Sequence, residues 1–135
     1  MHNAYDAPRL LAVDDDVSSA ELIVRVAERC GFEAFATSDS RGVVSLVEAL
    51  GPAVLCVDIC MPGIDAIELF DLLVGNNYRG RILIVSGQDI SILESTARLG
   101  TGKGLDVIAC MQKPFDLGEL RHLLMQQHQS YAEAS

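Results

Sequence analysis

Five short apolar runs punctuate the chain, at residues 9–13, 32–37, 53–57, 81–85 and 106–111, and each ends against polar or breaker residues. Runs of this length bounded by turn-forming residues predict strands buried on both faces of a sheet. Between them the rhythm is helical. Leu22, Ile23, Val26, Ala27 and Cys30 share one face, behind a capping-box spacing at residues 18–21 and ahead of Gly31. The polar residues 38–40 can cap a second helix carrying Val43, Val44, Val47 and Leu50, which Gly51 and Pro52 stop. A third helix starts near Asp65, turns Ile67, Phe70, Leu73 and Val74 inward, and fails at residues 75–77. A fourth runs from about residue 89 to 99, where the glycines of 100–104 break it. Asp116 caps the last, with Leu117, Leu120, Leu123 and Leu124 inward, and residues 126–135 are expected to fray.

Strict alternation of strands and helices predicts an α/β fold, a doubly wound (βα)5 unit with a five-stranded parallel sheet. In the flavodoxin-like strand order 2-1-3-4-5, the first and third strands are neighbours at the switch point, where such sheets bind ligands. The polar residues at the strand ends then matter. Asp14, Asp15 and Asp16 follow the first strand, Asp58 the third, Ser86 the fourth and Lys113 the fifth. All sit at carboxyl ends and face one rim. Taken alone, each of them reads more readily as a turn, cap or surface residue; four independent strand ends of fitting type do not. Two carboxylates about 4 Å apart repel by roughly 4 kcal/mol at an effective dielectric of 20, so the cluster calls for protons or a cation. Oxygen-only ligands in an open site suit Mg2+, and a carboxylate can act as a nucleophile that forms an acyl phosphate.

Composition narrows the function. The 135 residues suffice for one domain, and with half of them apolar the chain should fold. The net charge of −9 argues against direct binding to DNA or RNA. No apolar run approaches the 18 or so residues that span a bilayer, and the first eight residues lack the basic and apolar regions of a signal peptide. No Cys-x-x-Cys pair occurs among Cys30, Cys56, Cys60 and Cys110, which disfavours a zinc site; Cys56 and Cys110 fall in strands as core thiols. These features predict a reduced, cytoplasmic protein. The expected organisation is a tail over 1–8, one domain over 9–126, and a tail or linker over 127–135 leading to an absent output domain.

Four segments together resemble the receiver domain of two-component response regulators: Leu-Ala-Val-Asp-Asp-Asp at 11–16, Val-Asp-Ile-Cys-Met-Pro-Gly at 57–63, Ile-Val-Ser-Gly at 84–87, and Lys-Pro-Phe at 113–115. The resemblance implies that Asp58 is the phosphoacceptor of a signalling domain, not an enzyme beyond its own phosphorylation and dephosphorylation. It implies Mg2+ held by Asp15, Asp58 and the Cys60 carbonyl, with Asp14 acting through water, while Ser86 and Lys113 engage the phosphoryl group. It implies a cis Lys113–Pro114 bond, a histidine kinase or phosphotransfer protein as donor, a switching surface on the fourth helix, fifth strand and fifth helix, and a possible homodimer. Residues 97–108 are similar to receivers joined to EAL-type cyclic-di-GMP phosphodiesterase domains, which suggests that output in cis.

Three departures from the family pattern stand out. Cys110 occupies the position of the usual switching Tyr or Phe, Gly87 replaces a commoner Ala, and the segment before the fifth strand is long. Rival readings fare worse. The Gly-Thr-Gly-Lys-Gly stretch at 100–104 has Ala97 and Gly104 where a phosphate loop needs Gly and Ser or Thr. Three aspartates after the first strand would repel the pyrophosphate of a dinucleotide, and Cys60 stands where a haloacid-dehalogenase-type phosphatase wants a second Asp. His2, His122 and His128 read as surface residues. The alternative in another class is a receiver fold used for docking or dimerisation without phosphorylation; the missing aromatic favours it, the intact acidic set opposes it.

Overall fold

The computed structural model describes residues 7–60 and 65–133. In chain order the elements are β1 (Arg9–Val13), α1 (Val17–Arg29), β2 (Glu33–Thr37), a 3-10 turn (Ser40–Gly42) leading into α2 (Val43–Leu50), β3 (Val54–Asp58), α3 (Ala66–Gly75), β4 (Arg81–Ser86), α4 (Ile90–Gly102), β5 (Asp106–Gln112) and α5 (Leu117–Glu133). All strand pairs are parallel, and the order is β2-β1-β3-β4-β5. This is the flavodoxin-like architecture that the alternation implies.

The pleat sorts the core into two halves. Leu11, Val13, Leu55, Val57, Ile82 and Ile84 pack with α2, α3 and α4, whereas Leu10, Ala12, Val54, Cys56, Leu83 and Val85 pack with α1 and α5. β5 departs from strict alternation. Val107 belongs to the first half and Ala109 to the second, because a register shift opposite Ile82 and Leu83 leaves Ile108 as an extra residue. Such a bulge inverts the parity of everything that follows. It is why Met111 faces α5 and Cys110 faces α4.

Asp16 caps α1, accepting from the Ser18 N–H and the Ser19 hydroxyl, so the helix starts one residue before the expected box and that aspartate is spent on the cap. In α3 the buried face is Leu69, Phe70 and Leu73; Ile67 and Val74 are about half exposed, because the helix is rotated by one position from the expected stripe. Leu117 likewise lies outside the buried face of α5. The second strand begins at Glu33 instead of Phe32, and the fifth continues to Gln112.

α5 does not fray at residue 126 but stays helical to Glu133. Arg81 donates to Gln127 Oε1 at 2.8 Å and to Ser130 Oγ at 2.9 Å, and the His128 ring meets Phe32 edge-on. Gly31, at φ +96°, leaves room for that histidine, since a Cβ there would come within 2.7 Å of its Nε2.

α4 runs through Gly100 and ends only at Lys103, past the expected break. Gly100 is buried, and a Cβ on it would sit 2.9 Å from Val107 Cγ2 and 3.1 Å from the Phe70 ring. Packing overrides helix propensity here. Gly100→Ala, worth about 1 kcal/mol in favour of an isolated helix, is therefore expected to destabilise the domain by about 1–3 kcal/mol through overpacking. Chemical denaturation checks this, and equal or higher stability would contradict the packing account.

Candidate functional site

Strand alternation delivers three groups to one spot. Asp14 continues the parity of Leu10 and Ala12, Asp58 that of Val54 and Cys56, and Lys113 that of Ala109 and Met111, all on the α1/α5 side. β1 and β3 are neighbours, so Asp14 and Asp58 leave adjacent strand ends. One ligand oxygen from each of Asp14, Asp15 and Asp58 lies within 4.8 Å of the others. The expected convergence is present.

Lys113 Nζ lies 2.9 Å from Asp58 Oδ2, in a hydrogen bond, and 2.8 Å from Asp14 Oδ2. The contact with Asp14 is an ion pair off hydrogen-bond alignment, so Asp14 Oδ2 is buried without an aligned donor. The other oxygens are engaged. Asp14 Oδ1 accepts from the Asp16 N–H at 2.9 Å, and Asp58 Oδ1 from the Cys60 N–H at 2.8 Å. Asp58, 6% exposed, is thus held at both oxygens, which fixes its plane. Asp15 is exposed and Ser86 fully buried. The Ser86 hydroxyl accepts from the Gln88 N–H at 3.1 Å and keeps its own proton free to donate. The Lys113–Pro114 peptide is cis, as the resemblance implies.

Burial raises the Asp14 carboxyl above its usual 3.8; the Lys113 ammonium and the Asp16 N–H pull it back only in part. For Lys113, burial acts to lower the ammonium, but the hydrogen bonds and charges of Asp14 and Asp58 outweigh it and the net shift is upward. Three carboxylates against one ammonium leave the pocket short of positive charge. A buried carboxylate oxygen held by one ion pair and no aligned hydrogen bond, within reach of two more carboxylates, fits a hard divalent ion of the Mg2+ kind. The fit is one of donor chemistry.

The raised Asp14 carboxyl fixes the sign of a pH effect. Between pH 3.8 and its higher folded value the native state binds more protons than the unfolded chain, so this group subtracts stability as pH rises through that window. In metal-free buffer, the stability of Asp14→Asn relative to wild type is therefore expected to increase from pH 4 towards neutrality. A difference that is flat or falling, by denaturant titration, would contradict the assignment.

The sequence reading places Asp14, Asp15, Asp58 and Lys113 together, as observed, with Ser86 on the opposite parity beside them. It misses the polar chain behind them. Gln112 Nε2 donates to the Gln88 carbonyl at 3.0 Å, and Gln88 Nε2 lies 2.8 Å from Cys60 Sγ. No spacing signal marks these glutamines; their meeting follows from the β4–β5 register, which pairs Ser86 with Gln112. The thiol of Cys56 is pushed up to about 12 by burial, as befits a core residue. The cluster of three aspartates is the one group of this kind among the described residues.

A parallel five-stranded sheet in the order β2-β1-β3-β4-β5, with carboxylates gathered at its switch point, defines a doubly wound α/β domain of the flavodoxin-like kind. Comparison with known proteins narrows it. The model of the response regulator receiver domain matches residues 10–125, and the chain belongs to that family. It is 27% identical over 115 residues to sporulation initiation phosphotransferase F of Bacillus subtilis, covering 84% of this chain and 87% of that protein. It is 32% identical over 117 residues to the response regulator MprA of Mycolicibacterium vanbaalenii, covering 83% of this chain and 46% of that protein. It is 26% identical over 121 residues to the transcriptional regulatory protein TrcR of Mycobacterium tuberculosis, covering 89% and 45%. The chain thus spans under half the length of TrcR and MprA. A response regulator from Colwellia psychrerythraea superposes with a TM-score of 0.80 at 24% identity, over 93% of this chain and 99% of that one. No helix among the described residues is long and apolar enough to cross a membrane.

Proposed function

We propose that this receiver domain accepts a phosphoryl group on Asp58. The observation that carries the reading is the Asp58 carboxylate, held by the Cys60 N–H on one oxygen and by Lys113 on the other, beside two further aspartates. An Asp58 oxygen forms the new bond to phosphorus while the bond from phosphorus to the donor breaks, and the donor atom keeps that electron pair. The donor is the phosphohistidine of a sensor kinase or phosphotransfer protein, or a small acyl phosphate. Ser86, with a free hydroxyl proton, donates to the incoming phosphoryl oxygens, and the Lys113 ammonium transfers its pairing to them. Asp15, Asp58 and the Cys60 carbonyl are the direct ligands for Mg2+ in this reading, with Asp14 joined through water. When bound, the ion neutralises charge on the phosphoryl oxygens.

The modified state then differs from the unmodified one by its contacts to Ser86 and Lys113, which biases a two-state equilibrium. We assign the responding surface to α4, β5 and α5, controlling an output domain in cis or a separate protein target in the cytoplasm. An EAL-type output rests on the similarity of residues 97–108 alone, and a homodimer through the same surface is the other form of output. A docking role without phosphorylation leaves the convergence of three carboxylates on one pocket without a purpose.

Incubation with acetyl phosphate and Mg2+, followed by intact mass measurement, is the test. The account expects a gain of about 80 Da, one phosphoryl group, that disappears when EDTA replaces the metal. No gain in wild type would overturn it.

A further inference from the structure

Cys110 cannot act as the ring whose place it takes. It is half-buried, its thiol contacts the Leu93 carbonyl at 3.4 Å, and burial raises that thiol so that it stays neutral. A route from Asp58 to the start of α4 must run through other atoms. Those atoms are present on the same face of β5, two residues further on. The Gln112 side chain donates to the Gln88 carbonyl at 3.0 Å. Its neighbour Lys113 donates its backbone N–H to the Ser86 carbonyl at 2.7 Å and its ammonium to Asp58. The end of β5 therefore grips the β4–α4 loop at two carbonyls while it grips the acidic pocket with one side chain.

Gln88 is the hub. Its N–H donates to the Ser86 hydroxyl oxygen and its carboxamide reaches Cys60 Sγ, so one residue joins the β3–α3 loop, the β4–α4 loop and β5. Asp89, which follows it directly, caps α4 by accepting from the Ser91 N–H, and the exposed Ile90 and Ile92 open that helix. Displacement of Gln88 is displacement of the α4 start. Gly87, with open space where a Cβ would stand, leaves the loop free to make that move.

We propose that Gln112 and Gln88 form the output coupling of this site, in place of an aromatic switch. Gln112 is a positioning residue: it touches no reacting atom and acts by holding the Gln88 carbonyl. This inference rests on the phosphoacceptor reading of Asp58. When Ser86 turns to the phosphoryl group it pulls on the Gln88 N–H, and the shift of Lys113 moves Gln112 with it. Both ends of the Gln88 peptide are then displaced together, and α4 with them. An exposed amide hydrogen bond suits this role, because it can break and re-form without unfolding its surroundings.

Hydrogen exchange of residues 87–93, read beside intact mass on the same samples, separates the two claims. Wild type, Gln112→Ala and Cys110→Ala are compared with and without acetyl phosphate and Mg2+. The expected result is a phosphoryl adduct on all three. Exchange over 87–93 should change on phosphorylation by about five-fold, the low end of ordinary coupling between sites, in wild type and Cys110→Ala, and be largely lost in Gln112→Ala. Unmodified Gln112→Ala should also exchange faster there than unmodified wild type. An adduct with an undiminished exchange change in Gln112→Ala overturns the coupling and leaves the phosphoacceptor reading standing. No adduct on wild type overturns the phosphoacceptor reading, and the coupling falls with it.

Discussion

Replacement of Lys113 by methionine is expected to lower the stability of the metal-free domain by about 3 kcal/mol, the low end for breaking a buried ion pair. The reason is the imbalance of charge around it. Lys113 is the ammonium within 3 Å of both Asp14 and Asp58, and their side chains are 0% and 6% exposed. Methionine keeps the stem and removes the charge, leaving the carboxylates to repel one another in a site that water reaches from the Asp15 side. The low end applies because that opening allows some solvation. For a domain of this size the loss corresponds to about 10 °C in Tm. Mg2+ should restore a large part of it in the variant, since the ion supplies the missing positive charge. Thermal unfolding in EDTA and in excess Mg2+ checks both statements. A variant as stable as wild type in EDTA would show that the pair does not balance the pocket.

The second large effect is on chemistry rather than stability. Asp58→Ala is expected to reduce phosphorylation by acetyl phosphate to the background of unreacted protein. Asp14 has the other buried carboxylate among the described residues, but burial raises its carboxyl above the usual range, which favours the protonated form. A protonated carboxyl is a poor nucleophile. Asp15 is exposed, without the two-sided hold that orients Asp58. Intact mass after incubation decides the point. A full-sized adduct on Asp58→Ala would mean that another group is the acceptor.

How far the sequence discloses this protein depends on the kind of feature. The strands were legible because unbroken apolar runs such as 53–57 have few other uses in a domain of this length. The acidic pocket was legible because its members each end a strand, and parallel strands align their ends; Asp14, Asp15, Asp58 and Lys113 lie together as expected. Helix rotation was less so. The α3 stripe expected from periodicity lies one position away from the buried one, because Ile67, Leu72 and Val74 are apolar yet exposed, and periodicity cannot tell an apolar surface from a core. Gly100 reads as a helix breaker in sequence, and only the closeness of Val107 and Phe70 reveals why a glycine belongs inside α4. Asp16 looked like a third member of the acidic run, but two hydrogen bonds to the first turn of α1 claim it. The glutamines behind the pocket were invisible, since nothing in 24 residues of separation announces that Gln88 and Gln112 meet. Met61, Pro62 and Gly63 of the second motif, with His2, lie outside the described residues.

Where the phosphoryl group sits is the question on which the functional account turns. An acyl phosphate is reduced by borohydride to the corresponding alcohol, which converts a phosphorylated aspartate into homoserine and marks its position for peptide mass spectrometry. The account predicts homoserine at position 58 and at no other aspartate. Homoserine at position 14 or 15, or a phosphoryl group recovered on His122 or His128, would contradict it.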